Sequence, residues 1–231
     1  MPVKMKSKLI IAIDGPAGAG KSTIASRLAR QLGYVNIETG AMYRALALAA
    51  IQADVSFDDQ VALLGLAESS HIALEAAREG NRVLLAGQDV TQRIRERDVT
   101  EAASRVSVHP QVREWMVVRQ RQMGAAGGVV MEGRDIGTKV FPDAEVKIFL
   151  DAAPEVRGDR RFRQQPSPSP EKAQALVDEM RERDLRDRSR PNSPLVPAAD
   201  AVVIDSTNLT VEQVLQRVDE IIAGKRQSTP A

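Results

Sequence analysis

Cysteine is absent from the 231 residues, which excludes disulfides, thiolate metal sites and a cysteine nucleophile. Histidine is nearly absent: His71 and His109 are the only two and lie far apart in the chain, so a histidine-rich metal site is not expected. Aromatic residues make up 3% and the net charge is +1, which counts against a nucleic-acid binder built on base stacking and a basic face. No apolar run approaches the ~20 residues of a membrane span. The N-terminal lysines precede only LIIAI, too short for the apolar stretch of a signal peptide. A cytoplasmic protein with no nucleic-acid or membrane partner is therefore expected.

What is present suits one large α/β domain. Hydrophobic residues are 43% and charged residues 27%, a globular balance. Of the 32 basic residues, 24 are arginine, whose planar fork grips phosphate or carboxylate with two hydrogen bonds. A GC-rich genome would give the same excess, so only the placement of the arginines discriminates.

KLIIAI (8–13) reads as a buried strand ending at Asp14-Gly15. After a glycine-rich stretch comes STIASRLARQLG, with Ile24, Leu28 and Leu32 every four residues and Gly33 where a helix-ending glycine belongs. Further buried strands are expected at 34–37, 127–132, 144–151 and 199–205, and a hairpin at 71–90. Helices are expected at 41–52, at 100–123 with a break or kink near Pro110, and at 211–222, followed by a frayed tail. QQPSPSP (164–170) is a loop or stiff turn between two Arg-rich helical segments. Short apolar strands alternating with helices predict a five-stranded parallel sheet with helices on both faces, and the hairpin predicts an inserted subdomain.

The strongest motif is Gly15-Pro16-Ala17-Gly18-Ala19-Gly20-Lys21-Ser22, followed by Thr23. It matches G-x-x-x-x-G-K-[ST] and lies between a predicted strand and a predicted helix. Glycines let backbone N–H groups wrap a phosphate, and the helix N-terminus adds its positive dipole end. Lys21 can reach the β- and γ-phosphates of a nucleoside triphosphate, and the Ser22 hydroxyl can ligate Mg²⁺. No N-K-x-D segment for reading guanine occurs, and KIFLD, ending at Asp151, is a weak match to the strand of a motor ATPase. A small-molecule kinase remains.

The arginines indicate its acceptor. Arg134 follows the strand VVME, and ligands bind at such strand ends in open α/β sheets. Arg44 lies just after Glu38-Thr39-Gly40. Arg157, Arg160 and Arg161 share one helix face, and Arg183, Asp187 and Arg190 share another. Taken alone, the last two sets would pass for solvated faces; beside a phosphate cradle they suggest stabilisation of a moving phosphoryl group. A phosphomonoester acceptor, largely a dianion at pH 7, needs no general base, which fits a site rich in arginine and poor in histidine. His71, His109, Trp115 and Met116 read as surface or packing residues, while Asp14 is open between a supporting and a catalytic carboxylate.

GPAGAGKST (15–23), ETGAMYR (38–44), EGRDIGTKVFPDA (132–144), KIFLDA (147–152), RERDLRDRSR (181–190) and PLVPAADAVVIDST (194–207) resemble the bacterial cytidylate kinases, across residues 8 to 222. The resemblance implies transfer of the ATP γ-phosphate to CMP or dCMP with Mg²⁺, by a P-loop kinase with a small antiparallel sheet in an insert and a short lid. It implies a core at about 8–60 and 125–223, a monophosphate-binding insert at 61–124, a lid at 155–180, a flexible tail at 224–231 and a monomeric state. By the same resemblance, Gly15 to Thr23 and Arg160 hold ATP, with Ser22 on the metal. Arg44, Arg134 and Arg190 clamp the acceptor phosphate. Ser104, Arg113 and Asp135 read the cytosine, with Thr39 and Tyr43 lining the pocket, and Arg183 and Asp187 bind the ribose. Lys21, Arg134, Arg190, Arg157 and Arg161 act on the transferred group, the last two with Arg160 from the lid. Three features depart from the family pattern: Ala17 for a small hydroxyl residue, Glu38-Thr39 for Asp-Ser or Asp-Thr, and the proline-rich 164–170.

Overall fold

The computed structural model describes residues 8–77, 80–163 and 173–227. In chain order the first half comprises β1 (Ile10–Asp14), α1 (Lys21–Leu32), β2 (Val35–Glu38), α2 (Thr39–Gln52), α3 (Gln60–Ser69), β3 (Ile72–Ala76), β4 (Asn81–Leu85) and β5 (Gln88–Asp89). A 3₁₀ turn at Arg93–Arg95 leads to α4 (Arg97–Val106), α5 (Pro110–Gly124) and β6 (Val129–Gly133). A π-helical turn at Ile136–Val140 precedes β7 (Val146–Asp151), α6 (Pro154–Arg163), α7 (Ala173–Ser189), β8 (Val202–Asp205) and α8 (Val211–Gln227).

The five-stranded sheet runs β2-β6-β1-β7-β8, and every neighbouring pair is parallel. Strand β1 is central, and successive side chains leave it on opposite faces. Ile11 and Ile13 pack with Ile24 and Leu28 of α1 and Val214 and Val218 of α8. Ile10 and Ala12 pack with Val117, Met131 and Ile136 on the other side. A strand apolar on both faces is stable only when helices cover both.

The second sheet, β3-β4-β5, is antiparallel. It packs with α2, α3, α4 and α5 around a separate core that includes Leu46, Leu63, Val83, Val99 and Met116. The Asn81 side chain joins the two sheets: its amide donates to the Asn36 carbonyl at 2.7 Å and its oxygen accepts from the Glu38 N–H at 2.9 Å.

Two expectations change in form. The break near Pro110 is a boundary between α4 and α5, with Pro110 opening α5 and His109 extended before it (ψ 121°). Proline's fixed φ suits a first helical position and disfavours helix at the residue before it. At the C-terminus α8 runs to Gln227, so residues 224–227 are helical rather than frayed. Lys225 and Arg226 occupy its last turn, where the helix dipole favours cations. The proline-rich 164–170 and the last four residues, 228–231, lie outside the described residues.

Candidate active site

Parallel strands bring their C-terminal ends to one edge of the sheet. Register places Asp14 beside Gly133 and Glu38 beside Glu132 there. The glycine-rich loop leaves β1 at this edge. Gly15, at φ +146°, has no room for a side chain, because a Cβ would lie 2.0 Å from the Leu150 carbonyl oxygen. Gly20 precedes α1 in the left-handed region at φ 99°, which glycine adopts at no steric cost. No side chain caps α1 and its first turn carries no acid, so the dipole and amides of this helix end are available to an anion.

Lys21 opens α1, and its Nζ donates to the Pro16 carbonyl at 2.7 Å. Burial pulls its basicity below that of an ordinary lysine, and Arg134 adds to the effect, while Glu132 and Asp14 oppose it. Asp14 accepts from the Ile136 N–H at 2.8 Å and the Gly137 N–H at 2.7 Å. Burial raises its carboxyl to about 6 even against those two amides. Asp14 thus braces the π-helical turn that follows Arg134 and Asp135.

Opposite the loop the predicted arginines converge. Arg134 Nε donates to Asp187 at 3.0 Å, and Arg190 Nη1 lies 3.6 Å from the other Asp187 oxygen. Arg44 pairs with Glu38. Burial lowers Arg183 to about 10, and the nearby charges of Arg134, Arg44 and Arg161 contribute. Arg44 Nε, Arg183 Nε and Arg190 Nη2 are buried with no partner among the described residues. Unsatisfied buried donors are costly, and several guanidinium groups crowded around one carboxylate suit an anion that would satisfy them. Arg190 is buried and Arg44, Arg134 and Arg183 are partly buried, so these forks do not scatter into solvent.

The third group adjoins the second. Arg113 Nη2 donates to Asp135 at 2.6 Å, and both side chains are more than nine-tenths buried. Arg113 also lies over the Tyr43 ring, 5.5 Å from its centroid. Burial pushes the Tyr43 phenol up to about 12, so it stays protonated at neutral pH. Thr39 Oγ1 donates to the Glu132 carbonyl at 2.7 Å, which leaves its oxygen able to accept. Ser104 is buried on α4 and accepts a hydrogen bond from Arg186 at 2.6 Å. Arg190 feels the charges of Arg113 and Asp135, so the base-reading and phosphate-gripping candidates lie near one another.

The arginines of α6 separate. Arg157 is only 2% exposed. It donates to the Ala152 carbonyl at 2.8 Å and the Ala17 carbonyl at 3.0 Å, and pairs with Asp184 of α7. Arg160 donates to the Ser206 carbonyl at 2.8 Å and to Ala19 of the loop at 3.4 Å. Arg161 is exposed and has no hydrogen bond or ion pair among the described residues. Arg157 therefore bolts the loop to α6 and α7, whereas Arg161 is available to a ligand. Arg157→Met should cost about 2 kcal/mol by orphaning a largely buried carboxylate, or about 4–8 °C in Tm for a chain of this size. Arg161→Met should leave Tm unchanged and slow turnover. Thermal melts of the two variants check the contrast, and a wild-type melt for Arg157→Met would overturn it.

One residue at this edge was not singled out from sequence. Glu132 is the penultimate residue of β6, paired with Ile13 of β1; it lies near the Ser22 hydroxyl and has a buried Oε1 with no partner among the described residues. Burial pushes its carboxyl above the usual range, and Glu38 adds to this. The pattern sought at Asp151, an apolar run closed by an acid, is present in VVME as well.

A family model described as cytidylate kinase matches residues 11–224. The chain is 51% identical over 220 residues to the cytidylate kinase of Pelotomaculum thermopropionicum, covering 94% of this chain and 97% of that one. It is 50% identical over 219 residues to the cytidylate kinase of Geobacillus kaustophilus, covering 94% and 98%. Among solved structures, an uncharacterized protein from Eubacterium ventriosum superposes with a TM-score of 0.50 at 11% identity, covering 96% of this chain and all of that one; this likeness concerns fold alone. Matches running from β1 to α8, at about half identity over almost the whole of both chains, place this chain in the cytidylate kinase family.

Proposed function

We propose that this protein transfers the γ-phosphoryl group of ATP to CMP and dCMP, giving ADP and CDP or dCDP. The observation that carries this reading is the placement of Lys21 and its glycine loop across from Arg44, Arg134, Arg183 and Arg190, with the buried Arg113–Asp135 pair beside them. The loop amides and Lys21 hold the ATP phosphates, with Arg160 bracing the loop. Arg44, Arg134 and Arg190 take the acceptor phosphate, and Asp187 with Arg183 takes the ribose. Asp135 accepts from the exocyclic amine of cytosine, while Arg113 donates to the ring's acceptor edge. Uracil presents an oxygen where cytosine has the amine, so Asp135 disfavours it.

An oxygen of the CMP phosphate attacks the γ-phosphorus, the bond to the β–γ bridging oxygen breaks, and ADP leaves. The acceptor is already largely a dianion at pH 7, so no proton must be removed. The barrier is repulsion between two anions, which Lys21, Arg134, Arg190 and Arg161 reduce by spreading positive charge around the moving group. The Ser22 hydroxyl and the unpartnered Glu132 carboxylate oxygen would hold Mg²⁺, which would supply neutralisation of phosphate charge.

The division of the chain follows from these roles: a core at about 8–60 and 125–223, a monophosphate-binding insert at 61–124 and a lid at 155–180. Closure over the cleft excludes water, so that ATP is not hydrolysed instead. No described helix is long and apolar enough to cross a membrane, and the reading is of a monomeric cytoplasmic enzyme with ATP and CMP or dCMP as its partners.

A coupled ADP-release assay with CMP, dCMP, UMP, AMP and GMP tests the reading. CMP and dCMP should be the best acceptors, with UMP behind and the purines slowest. Equal turnover of AMP, GMP and CMP would sink the cytosine assignment. Activity only on a non-phosphorylated metabolite would favour a small-molecule kinase of another kind.

A further inference from the structure

Arg186 is assigned no role in the cleft described above, yet it touches a residue that has one. It lies on α7 three residues after Arg183 and four before Arg190, on the helix face that borders the cleft. Its Nη1 donates to the buried Ser104 Oγ at 2.6 Å. A second contact between the same two helices is the solvent-exposed ion pair of Arg97 with Glu179. The two contacts are separated by the same step on α4 and on α7, about two helical turns.

The chemistry of the contact is directional. A guanidinium only donates, whereas a hydroxyl has one proton to give and can accept twice. Arg186 occupies one acceptor position of Ser104 Oγ and polarises its O–H bond. The Ser104 proton has no acceptor among the described residues, and the hydroxyl is thereby biased toward donating into the cleft. Cytosine offers two adjacent acceptors, its ring nitrogen and its carbonyl oxygen; uracil replaces the first with an N–H. A hydroxyl held as a donor meets an acceptor in one base and a competing donor in the other.

We propose that Arg186 is a positioning residue for base selection: by donating to Ser104 Oγ it presents that hydroxyl as a hydrogen-bond donor and favours cytosine over uracil. The inference rests on the reading that Ser104 faces the base. The role proposed for Arg186 is indirect, and its exposed head makes substitution compatible with folding.

The test measures kcat and KM for CMP, UMP and ATP in the full-length enzyme. Arg186→Met should lower the CMP-to-UMP ratio of kcat/KM about tenfold, the worth of one well-formed hydrogen bond. The loss should fall mainly on the CMP KM, with the ATP KM and Tm unchanged. Arg186→Lys, still a donor, should recover part of the ratio. Ser104→Ala should narrow the ratio to a similar degree, and adding Arg186→Met to it should change nothing further. If Ser104→Ala narrows the ratio and Arg186→Met does not, the inference fails while the reading of the pocket stands. If Ser104→Ala leaves the ratio untouched, Ser104 does not read the base and the inference falls with that reading. A lower CMP KM in Arg186→Met would mean that Arg186 holds Ser104 away from the base, which also overturns the proposal.

Discussion

Lys21→Met should lower kcat by about a hundred- to a thousandfold, the range seen when one preorganised donor to a developing anion is removed. Lys21 Nζ rests on the Pro16 carbonyl at 2.7 Å, and the residue is 6% exposed. Without ligand its charge is disfavoured by burial and by Arg134. The phosphates of ATP supply the negative charge that this position lacks, so the ammonium is most useful when the γ-phosphoryl group is in transit. Methionine keeps much of the volume and removes a buried charge, so the ligand-free Tm should be equal to or above that of the wild type. The ATP KM should rise only modestly, because the loop amides and the α1 N-terminus are untouched. Rapid-quench single turnovers separate the slowed chemical step from binding. A variant with near-wild-type turnover would exclude Lys21 from phosphoryl transfer.

The parts of this machinery visible in the sequence are those fixed by local chemistry. The strand–loop–helix from Ile10 to Leu32 follows from an apolar run, glycines at turns and a four-residue period, and Gly33 ends α1 at φ 65° as its position suggested. The spacing of Arg183, Asp187 and Arg190 places them on one face, and Arg190 and Asp187 are neighbours across that turn. What spacing leaves open is depth. Arg157 and Arg161 are one turn apart, yet the first is locked in the interior and the second is exposed. The difference is made by Asp184, which belongs to the next helix. Spacing leaves the role of Asp14 open in the same way, because the amides it braces, Ile136 and Gly137, come from the far half of the chain. Glu132 gains its interest from lying beside β1 and Ser22, a neighbourhood that exists only once β6 has crossed into the sheet.

Asp187→Asn should have the largest effect on the ligand-free protein. Asp187 is the carboxylate against which Arg134 and Arg190 are set, at 3.0 and 3.6 Å. Burial alone would raise its carboxyl, but Arg134, Arg190 and Arg183 together hold it below the ordinary carboxylate value. Neutralising it leaves these guanidiniums facing one another, and breaking a buried charge network in this way costs about 3 kcal/mol, or about 6–12 °C in Tm for a chain of this length. The sign with pH follows from the depressed folded value. Stability from Asp187 is present above its unfolded pKa of about 4 and is lost as pH falls through the lower folded one. The Tm gap between wild type and variant should therefore be full at neutral pH and shrink in acid. Inorganic phosphate, which binds the folded state, should raise the variant's Tm more than the wild type's, because it replaces the missing negative charge. The CMP KM should rise with the loss of the ribose acceptor, and the ATP KM should not. If the ATP KM rose and the CMP KM did not, the division of the cleft into donor and acceptor halves would be wrong; if phosphate stabilised both proteins equally, Asp187 would not be the counter-charge that holds the arginines together.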